Sequence, residues 1–208
     1  MHDTKSTIGD FLNAAASKQP TPGGGSVAAL VGALAASMGE MTINYSLGHK
    51  DLQVFVAELK PALESIHRAR EVLEQLMADD QAAFDMLSKA RKLAPDVPDR
   101  DAKIAAATMS CIRVPQTIAA TSLAVLELTD KIVNFVNPRL LSDLAVCADL
   151  AMASTRCGIY NVRINLKEVS DPAERRKIES TTSQILTRAA GIIQRAAPRI
   201  WERVSLGA

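Results

Sequence analysis

Apolar residues recur at helical spacing along most of the chain, and short segments rich in glycine, proline or aspartate separate the runs. This pattern predicts a short helix over about residues 7–17 and then five long helical segments. The long segments lie at about 26–45, 51–93, 100–136, 140–169 and 172–204. No linker, repeat or low-complexity tract divides the chain. We therefore predict one domain, residues 1–208, folded as an all-α, up-and-down bundle of about five long helices plus a short N-terminal helix.

Residues typical of helix ends support several of these boundaries. Thr7 and Asp10 have the spacing of a capping box, and Ser26 is suited to be the N-cap of the second helix. The pair Asp171-Pro172 combines a capping side chain with proline at the first helical position. These signals predict where three of the helices begin.

Prolines and paired aspartates predict interruptions inside the long segments. We expect the third helix to kink or break at Pro61 or at Asp79-Asp80, and the last helix to be interrupted at Pro198. Pro115 should bend the fourth helix, and residues 94–99 read as a surface loop.

Composition narrows the function classes. Hydrophobic residues make up 48% of the chain and aromatic residues 3%, and the formal net charge is +1, so no basic face is expected to recruit nucleic acid. Three cysteines form no C-x-x-C pair and three histidines are scattered, so we expect no metal site. No signal peptide is evident, and the apolar run 27–38 is too short to cross a bilayer. We expect a cytoplasmic protein without a membrane partner.

The segment Pro-Thr-Pro-Gly-Gly-Gly-Ser at residues 20–26 directly precedes an apolar helix. Free backbone N–H groups at a helix start, together with the helix dipole, suit an anion or a polar ligand. The segment lacks the Gly-Lys-Ser/Thr ending of a phosphate loop and follows no strand, which argues against a nucleotide site. The alternative is a tight helix connection without a ligand. Gly23, Gly24, Gly25 and Ser26 are candidate substrate-binding residues.

Polar residues at both ends of the fifth helix form a second candidate set. Ser142 and Asp143 follow Asn137 into the first turn, where they could cap the helix or direct a carboxylate into a pocket. Asn161 and Asn165 are spaced i, i+4 on an otherwise apolar helix. Their amides could bond neighbouring helices or read a hydrogen-bonding heterocycle.

Two further places offer chemistry. Asp80 and Phe84 share a helix face, which puts a carboxylate beside an aromatic ring, although a solvated helix break is the commoner explanation. Asn44, His49 and Lys50 lie at the end of the second helix. Asn44 is a candidate for substrate binding, and His49 or Lys50 for proton transfer.

Taken together, these segments resemble the cyclodeaminase/cyclohydrolase family of tetrahydrofolate enzymes, which includes the C-terminal domain of formiminotransferase-cyclodeaminase and stand-alone bacterial methenyltetrahydrofolate cyclohydrolases. The matching segments are residues 21–30, 80–84, 114–115, 137–138 with 142–143, and 161–166. Arg139 departs from the pattern, because the family often has asparagine there. The resemblance implies a helical domain that dimerises through long helices and binds folate in a cleft near the glycine segment.

The resemblance also implies a reaction. Our first hypothesis is a methenyltetrahydrofolate cyclohydrolase, with Asp143 as the base, Asp80 in reserve, Lys50 or His49 moving a proton, and no cofactor besides the folate substrate. The alternatives are a formiminotetrahydrofolate cyclodeaminase, which releases ammonia, and a non-catalytic folate-binding helical protein. A chain without an attached formiminotransferase domain favours the cyclohydrolase. The motifs leave open which carboxylate is the base and whether the site lies within one subunit or between two.

Overall fold

The computed structural model describes residues 5–205, and all of its regular secondary structure is helical. The helices are α1 (Ile8–Ala16), α2 (Gly24–Leu47), α3 (Val56–Arg91), α4 (Arg100–Ile132), α5 (Leu141–Leu166) and α6 (Pro172–Ser205), with 3-10 turns at Lys50–Phe55 and Pro138–Leu140. The prediction of an all-α bundle with five long helices and a short N-terminal helix is confirmed.

Successive long helices run antiparallel, as an up-and-down bundle requires. The start of α2 contacts the later part of α3, where the Ser26 hydroxyl lies 3.2 Å from the Met77 carbonyl. The end of α2 contacts the segment before α5, where the Asn137 backbone N–H donates to Ser46 Oγ at 2.8 Å. Helix α2 therefore lies between α3 and α5, with α4 behind it.

Three helices meet closely at Gly32 in the middle of α2. A Cβ at this position would lie 2.8 Å from both Ser122 Oγ on α4 and Ser154 Oγ on α5. The two serine hydroxyls are 2.7 Å apart, and Ser154 Oγ also donates to the Ala28 carbonyl at 2.7 Å. These buried bonds fix the mutual positions of α2, α4 and α5 inside an otherwise apolar core.

Two of the predicted helix starts are correct. The Asp10 backbone N–H donates to Thr7 Oγ1 at 3.1 Å, and the Ala173 N–H donates to Asp171 Oδ1 at 2.8 Å. The third prediction is wrong, because α2 begins at Gly24 with Gly23 as its N-cap. Ser26 lies inside the first turn of α2.

Three predicted helix breaks are also absent, because α3 continues through Pro61 as well. Helix α3 runs without a break through Asp79-Asp80, and α6 continues through Pro198. The Asp80 side chain bonds a neighbouring helix and does not compete for its own backbone. A proline removes one backbone hydrogen bond, and a well-packed helix can tolerate that loss.

Helices α2 and α4 are long and apolar enough, by length and composition, to cross a membrane. The expectation that the apolar run is too short is therefore wrong for α2, because the helix extends on both sides of residues 27–38. About half of each apolar window is buried against other helices, 56% in α2 and 50% in α4. Core helices of bundles pass the same test, so this finding is weak support for a membrane span.

Candidate functional site

The Asp80 carboxylate caps the start of α2 from the neighbouring helix α3. Asp80 Oδ2 accepts hydrogen bonds from the Ser26 backbone N–H at 2.8 Å and from Ser26 Oγ at 2.9 Å. Among residues 5–205, no hydrogen bond reaches the second oxygen, Asp80 Oδ1. The helix start that we expected to hold an external anion thus already binds a carboxylate of the protein.

Two glycines make this approach possible. A Cβ on Gly25 would lie 1.9 Å from Asp80 Oδ1, so no larger residue fits while the carboxylate stays in place. A Cβ on Gly24 would lie 3.0 Å from Asn161 Oδ1 on α5. The glycine segment therefore brings a carboxylate from α3 and an amide from α5 to one helix start. We call Gly24, Gly25, Ser26, Asp80 and Asn161 the Asp80 site.

The environment of Asp80 makes its carboxyl group a candidate for proton transfer. Burial raises the pKa of Asp80, while the two hydrogen bonds from Ser26 oppose that rise. Phe84 lies one turn later on α3 with 41% of its surface exposed, so its spacing places it on the same side of the helix as Asp80. Such a group can take or give a proton closer to neutral pH than an ordinary aspartate.

Asn165 bonds a neighbouring helix, which is one of the two alternatives that the sequence left open for its amide. Its Nδ2 donates to the Cys111 carbonyl on α4 at 3.2 Å and to the Asn161 carbonyl at 2.9 Å. Pro115 follows Cys111 by four residues and has no N–H to offer that carbonyl. Asn165 thus supplies the donor that Pro115 lacks. The sequence does contain a signal for this hydrogen bond, namely a proline inside one predicted helix and an asparagine on the next.

Asn161 keeps more of its hydrogen-bonding capacity. Its Nδ2 donates to the Cys157 carbonyl at 2.8 Å, within α5. Its Oδ1 packs against Gly24 and accepts no hydrogen bond from the described residues. This amide oxygen is therefore a free acceptor at the start of α2, which Asp80 also contacts.

A second group of predicted residues lies at the other end of the bundle. Asn44, His49 and Asn137, together with Tyr45 and Gly48, line an open cleft of about 450 Å³. We call Asn44, His49 and Asn137 the polar-end cluster. Asn137 Oδ1 accepts from the Arg139 N–H at 3.0 Å, which fixes the start of the turn before α5.

Asp143, Ser142 and Lys50 belong to this same distant end. Asp143 is half-buried in the first turn of α5, whereas Ser142 and Lys50 are exposed. Eighteen residues separate Asp143 from Asn161, which corresponds to about 27 Å along the helix. The expectation that Asp143, the glycine segment and the Asn161/Asn165 pair line one cleft is wrong within a single chain. The carboxylate that meets the glycine segment is Asp80.

Comparisons with known proteins agree with this architecture. The family model described as Formiminotransferase-cyclodeaminase matches residues 7–184. A methenyltetrahydrofolate cyclohydrolase from Methylorubrum extorquens is 30% identical over 96% of this chain and 98% of its own. A formimidoyltransferase-cyclodeaminase from Gallus gallus is 29% identical over 87% of this chain, which spans only 34% of that longer protein. The crystal structure of formiminotetrahydrofolate cyclodeaminase from Thermotoga maritima superposes with a TM-score of 0.86 at 27% identity, covering 97% of this chain and 96% of that one. The chain therefore belongs to the formiminotransferase-cyclodeaminase family, which confirms the resemblance carried by its motifs.

Proposed function

We propose that this protein is a methenyltetrahydrofolate cyclohydrolase, which adds water to 5,10-methenyltetrahydrofolate to give 10-formyltetrahydrofolate. The full-length relative from Methylorubrum extorquens carries that name. The observation that carries the proposal is the Asp80 carboxylate, whose Oδ2 is held by Ser26 and whose Oδ1 accepts no hydrogen bond from residues 5–205. We infer that the oxygen without a hydrogen bond is the one that acts on water.

The reaction needs a group of this kind. The methenyl carbon bridges N5 and N10 as a cationic amidinium, which a carboxylate stabilises. As the oxygen of water bonds to that carbon, Asp80 accepts one proton of the water and a tetrahedral adduct forms. The bond from the carbon to N5 then breaks as the formyl carbonyl forms. N5 gains one proton, a second proton passes to solvent, and the formyl group stays on N10.

Asp80 replaces Asp143 as our candidate base. Its pKa is raised by burial, and the bonds from Ser26 fix the direction of its free oxygen. Asn161 Oδ1 lies against Gly24, next in sequence to the glycine that Asp80 contacts, and Phe84 follows Asp80 by one turn of α3. We infer that they offer an acceptor and an apolar surface to a flat heterocycle at this helix start. The helix start at Gly24 contributes its positive end to the same place.

The test is turnover of the methenyl substrate by purified protein and by two variants. Asp80→Asn should lower kcat by roughly 10²- to 10⁴-fold, the usual effect of removing a general base. Asp79→Asn is the matched control, because Asp79 bonds Gln75 on the outside of α3 at 2.9 Å. Full activity in Asp80→Asn would refute the role of Asp80.

The likeness to a solved formiminotetrahydrofolate cyclodeaminase supports a second candidate reaction. There N10 attacks the formimino carbon, and ammonia leaves after protonation. The same carboxylate could give that proton. Ammonia release from the formimino substrate, without turnover of the methenyl substrate, would select this alternative.

We also propose that the protein is a homodimer that associates through α2 and α5. Each helix carries a row of at least partly exposed apolar residues at alternating spacings of four and three. The α2 seam is Val27, Val31, Leu34, Met38, Met41 and Tyr45, and the α5 seam is Val146, Leu150, Ala153, Cys157, Tyr160 and Ile164. Uncharged rows with this repeat are typical of helix–helix interfaces. Light scattering should give a mass near twice the 22.3 kDa of the chain, and a monomer would contradict the proposal.

The remaining expectations are proposals as well. The folate is the substrate, so the reaction as written requires no cofactor and no resident metal. The net charge of +1 supports a protein without a nucleic-acid partner. We propose a cytoplasmic location without a membrane partner, which cell fractionation would test.

A further inference from the structure

We propose that Arg91 binds a carboxylate of the glutamate tail of the folate substrate, at the outer end of a groove that begins at Asp80. The inference rests on the proposed function and deepens it, because it assigns a site to the part of the substrate that the reaction leaves unchanged. Folate carries the cationic methenyl group, the aminobenzoyl ring and the anionic glutamate in that order. The groove offers a carboxylate, an aromatic ring and a guanidinium in the same order.

The groove exists because α2 begins before its neighbours end. Helix α2 starts at Gly24 and packs between one side of α3 and one side of α5. A Cβ on Gly32 would lie 3.0 Å from Leu73 Cδ2 on α3 and 2.8 Å from Ser154 Oγ on α5, which marks those two sides. Both helices continue past the start of α2, and α3 does so by about three turns. The sides that α2 covers along its length therefore become the walls of a groove beyond its first turn.

The α3 wall carries Asp80, Phe84 and Arg91. Asp80 and Arg91 follow Leu73 by about two and five turns, so they lie on the side of α3 that faces α2. Phe84 comes one turn after Asp80 and is 41% exposed. Arg91 lies about 16 Å beyond Asp80 along the axis, and helical side chains lean back towards the N-terminus, which shortens the distance between the two charges. That distance suits a ligand with an aromatic ring between its cationic and anionic ends.

The α5 wall carries Asn161, Asn165 and Glu168. Asn161 Oδ1 lies at the start of α2, and Asn165 Nδ2 donates to the Cys111 carbonyl at 3.2 Å, so α4 forms the floor of the groove. At the outer end, Arg91 Nη2 donates to Glu168 Oε2 at 3.3 Å. This ion pair joins the two walls and holds the guanidinium across the groove.

The Cys111 thiol on the floor responds to both charged groups. Burial raises the pKa of Cys111, the Asp80 charge raises it further, and the Arg91 charge lowers it. Charge effects fade over about 10 Å in salt solution, so both side chains lie close to this buried thiol. Asp80 and Arg91 therefore belong to one groove, as their positions along α3 indicate.

Arg91 keeps hydrogen-bond donors for a ligand. Its guanidinium has N–H groups on three nitrogens, and within residues 5–205 its hydrogen bond goes to Glu168 alone. The side chain is 49% exposed, so a ligand can reach it. Two parallel N–H groups of a guanidinium match the two oxygens of a carboxylate, which is the geometry that arginine uses for such ligands. Because Glu168 already orders the side chain, binding costs less conformational entropy.

Kinetics with two substrates test the inference. One is 5,10-methenyltetrahydrofolate, and the other is a truncated substrate in which a methylamide replaces the glutamate, so that no tail carboxylate remains. Arg91→Ala should raise KM for the full substrate roughly tenfold, the effect of losing a hydrogen bond between charged groups, with kcat unchanged. KM for the truncated substrate should be the same in Arg91→Ala and in wild type. Equal changes in KM for both substrates would overturn the inference.

Two further variants distinguish a specific contact from a general charge effect. Lys92→Ala is the matched control, because it removes the adjacent positive charge, and Lys92 is exposed and forms no ion pair with the described residues. Both KM values should stay at the wild-type level in Lys92→Ala, and an increase equal to that of Arg91→Ala would overturn the specific contact. Arg91→Lys should recover only part of the lost affinity, because an ammonium group cannot bind both carboxylate oxygens in parallel.

Calorimetric titration with tetrahydrofolate separates this inference from the proposed function. Tetrahydrofolate carries the same tail and lacks the one-carbon group, so it binds without turnover. Its Kd should rise roughly tenfold in Arg91→Ala, and equal Kd values in variant and wild type would overturn the inference. Absence of methenyl-substrate turnover by wild-type protein would instead defeat the proposed function alone.

Discussion

Replacing Gly25 by alanine should damage both the stability and the activity of the protein. The new Cβ would lie 1.9 Å from Asp80 Oδ1, and ordinary contact begins near 3.4 Å, so the carboxylate has to move by about 1.5 Å. That movement breaks at least one of the two bonds to Ser26, which are 2.8 and 2.9 Å long. A hydrogen bond to a charged group contributes about 1.5–3 kcal/mol, against about 1 kcal/mol gained from alanine in a helix.

We therefore expect Gly25→Ala to lower the free energy of unfolding by about 2 kcal/mol, which corresponds to a Tm about 4–8 °C lower. Turnover should fall as well, because the base is displaced. Gly191→Ala in α6 is the matched control, since the nearest atom to its Cβ is Arg195 Nη1 at 3.6 Å. That variant should gain up to about 1 kcal/mol and keep its activity. If Gly25→Ala matched Gly191→Ala in both assays, the close contact between Gly25 and Asp80 would be refuted.

Three further predictions follow from single contacts. Asp80→Asn should raise the Tm at neutral pH, because a raised pKa means that the ionised carboxylate destabilises the folded protein above that pKa. The difference in Tm between variant and wild type should shrink as the pH falls and the wild-type carboxylate becomes protonated. Equal melting curves at all pH values would contradict this. Asn165→Ala should cost about 1–3 kcal/mol in urea unfolding by leaving the Cys111 carbonyl unbonded, and clearly less in a Pro115→Ala background, where the restored backbone N–H serves that carbonyl. An equal cost in both backgrounds would show that the two residues are independent. Burial raises the pKa of Cys147 to about 11, so its thiol should resist iodoacetamide in the folded protein at mildly alkaline pH and react only after unfolding, as mass spectrometry of the alkylated peptide would report.

The fold was predictable because each helix carries its own signals. Apolar spacing and end residues such as Thr7 and Asp171 depend on contacts within a few positions, and these were correct. Ser26 shows the limit of such signals. It has the chemistry of an N-cap, but its N–H is bonded by Asp80, 54 residues away in sequence. The local sequence pattern cannot distinguish a serine whose side chain caps its own helix from a serine whose backbone N–H is bonded by a side chain of another helix.

The site was predictable residue by residue but not as an arrangement. Asp79-Asp80 looks like a helix break because two adjacent carboxylates favour solvent, and only the packing of α3 on α2 shows that Asp80 turns inward. The spacing of Asn165 leaves open whether its amide bonds a neighbouring helix or a ligand, and the position of the carbonyl left free by Pro115 selects the helix. Asp143 has the expected chemistry, but the length of α5 separates it from the glycine segment. Each outcome depends on tertiary geometry that spacing along one chain does not contain.

The central claim is that the partly buried Asp80 carboxylate transfers the proton in the reaction. The most direct measurement is the pH dependence of kcat/KM for the methenyl substrate in wild-type protein and in Asp80→Asn. Since the base acts when ionised and its pKa is raised, wild-type activity should fall with decreasing pH through an apparent pKa above that of an ordinary aspartate. That acid limb should be absent from the residual activity of Asp80→Asn. An unchanged acid limb in the variant would contradict the account.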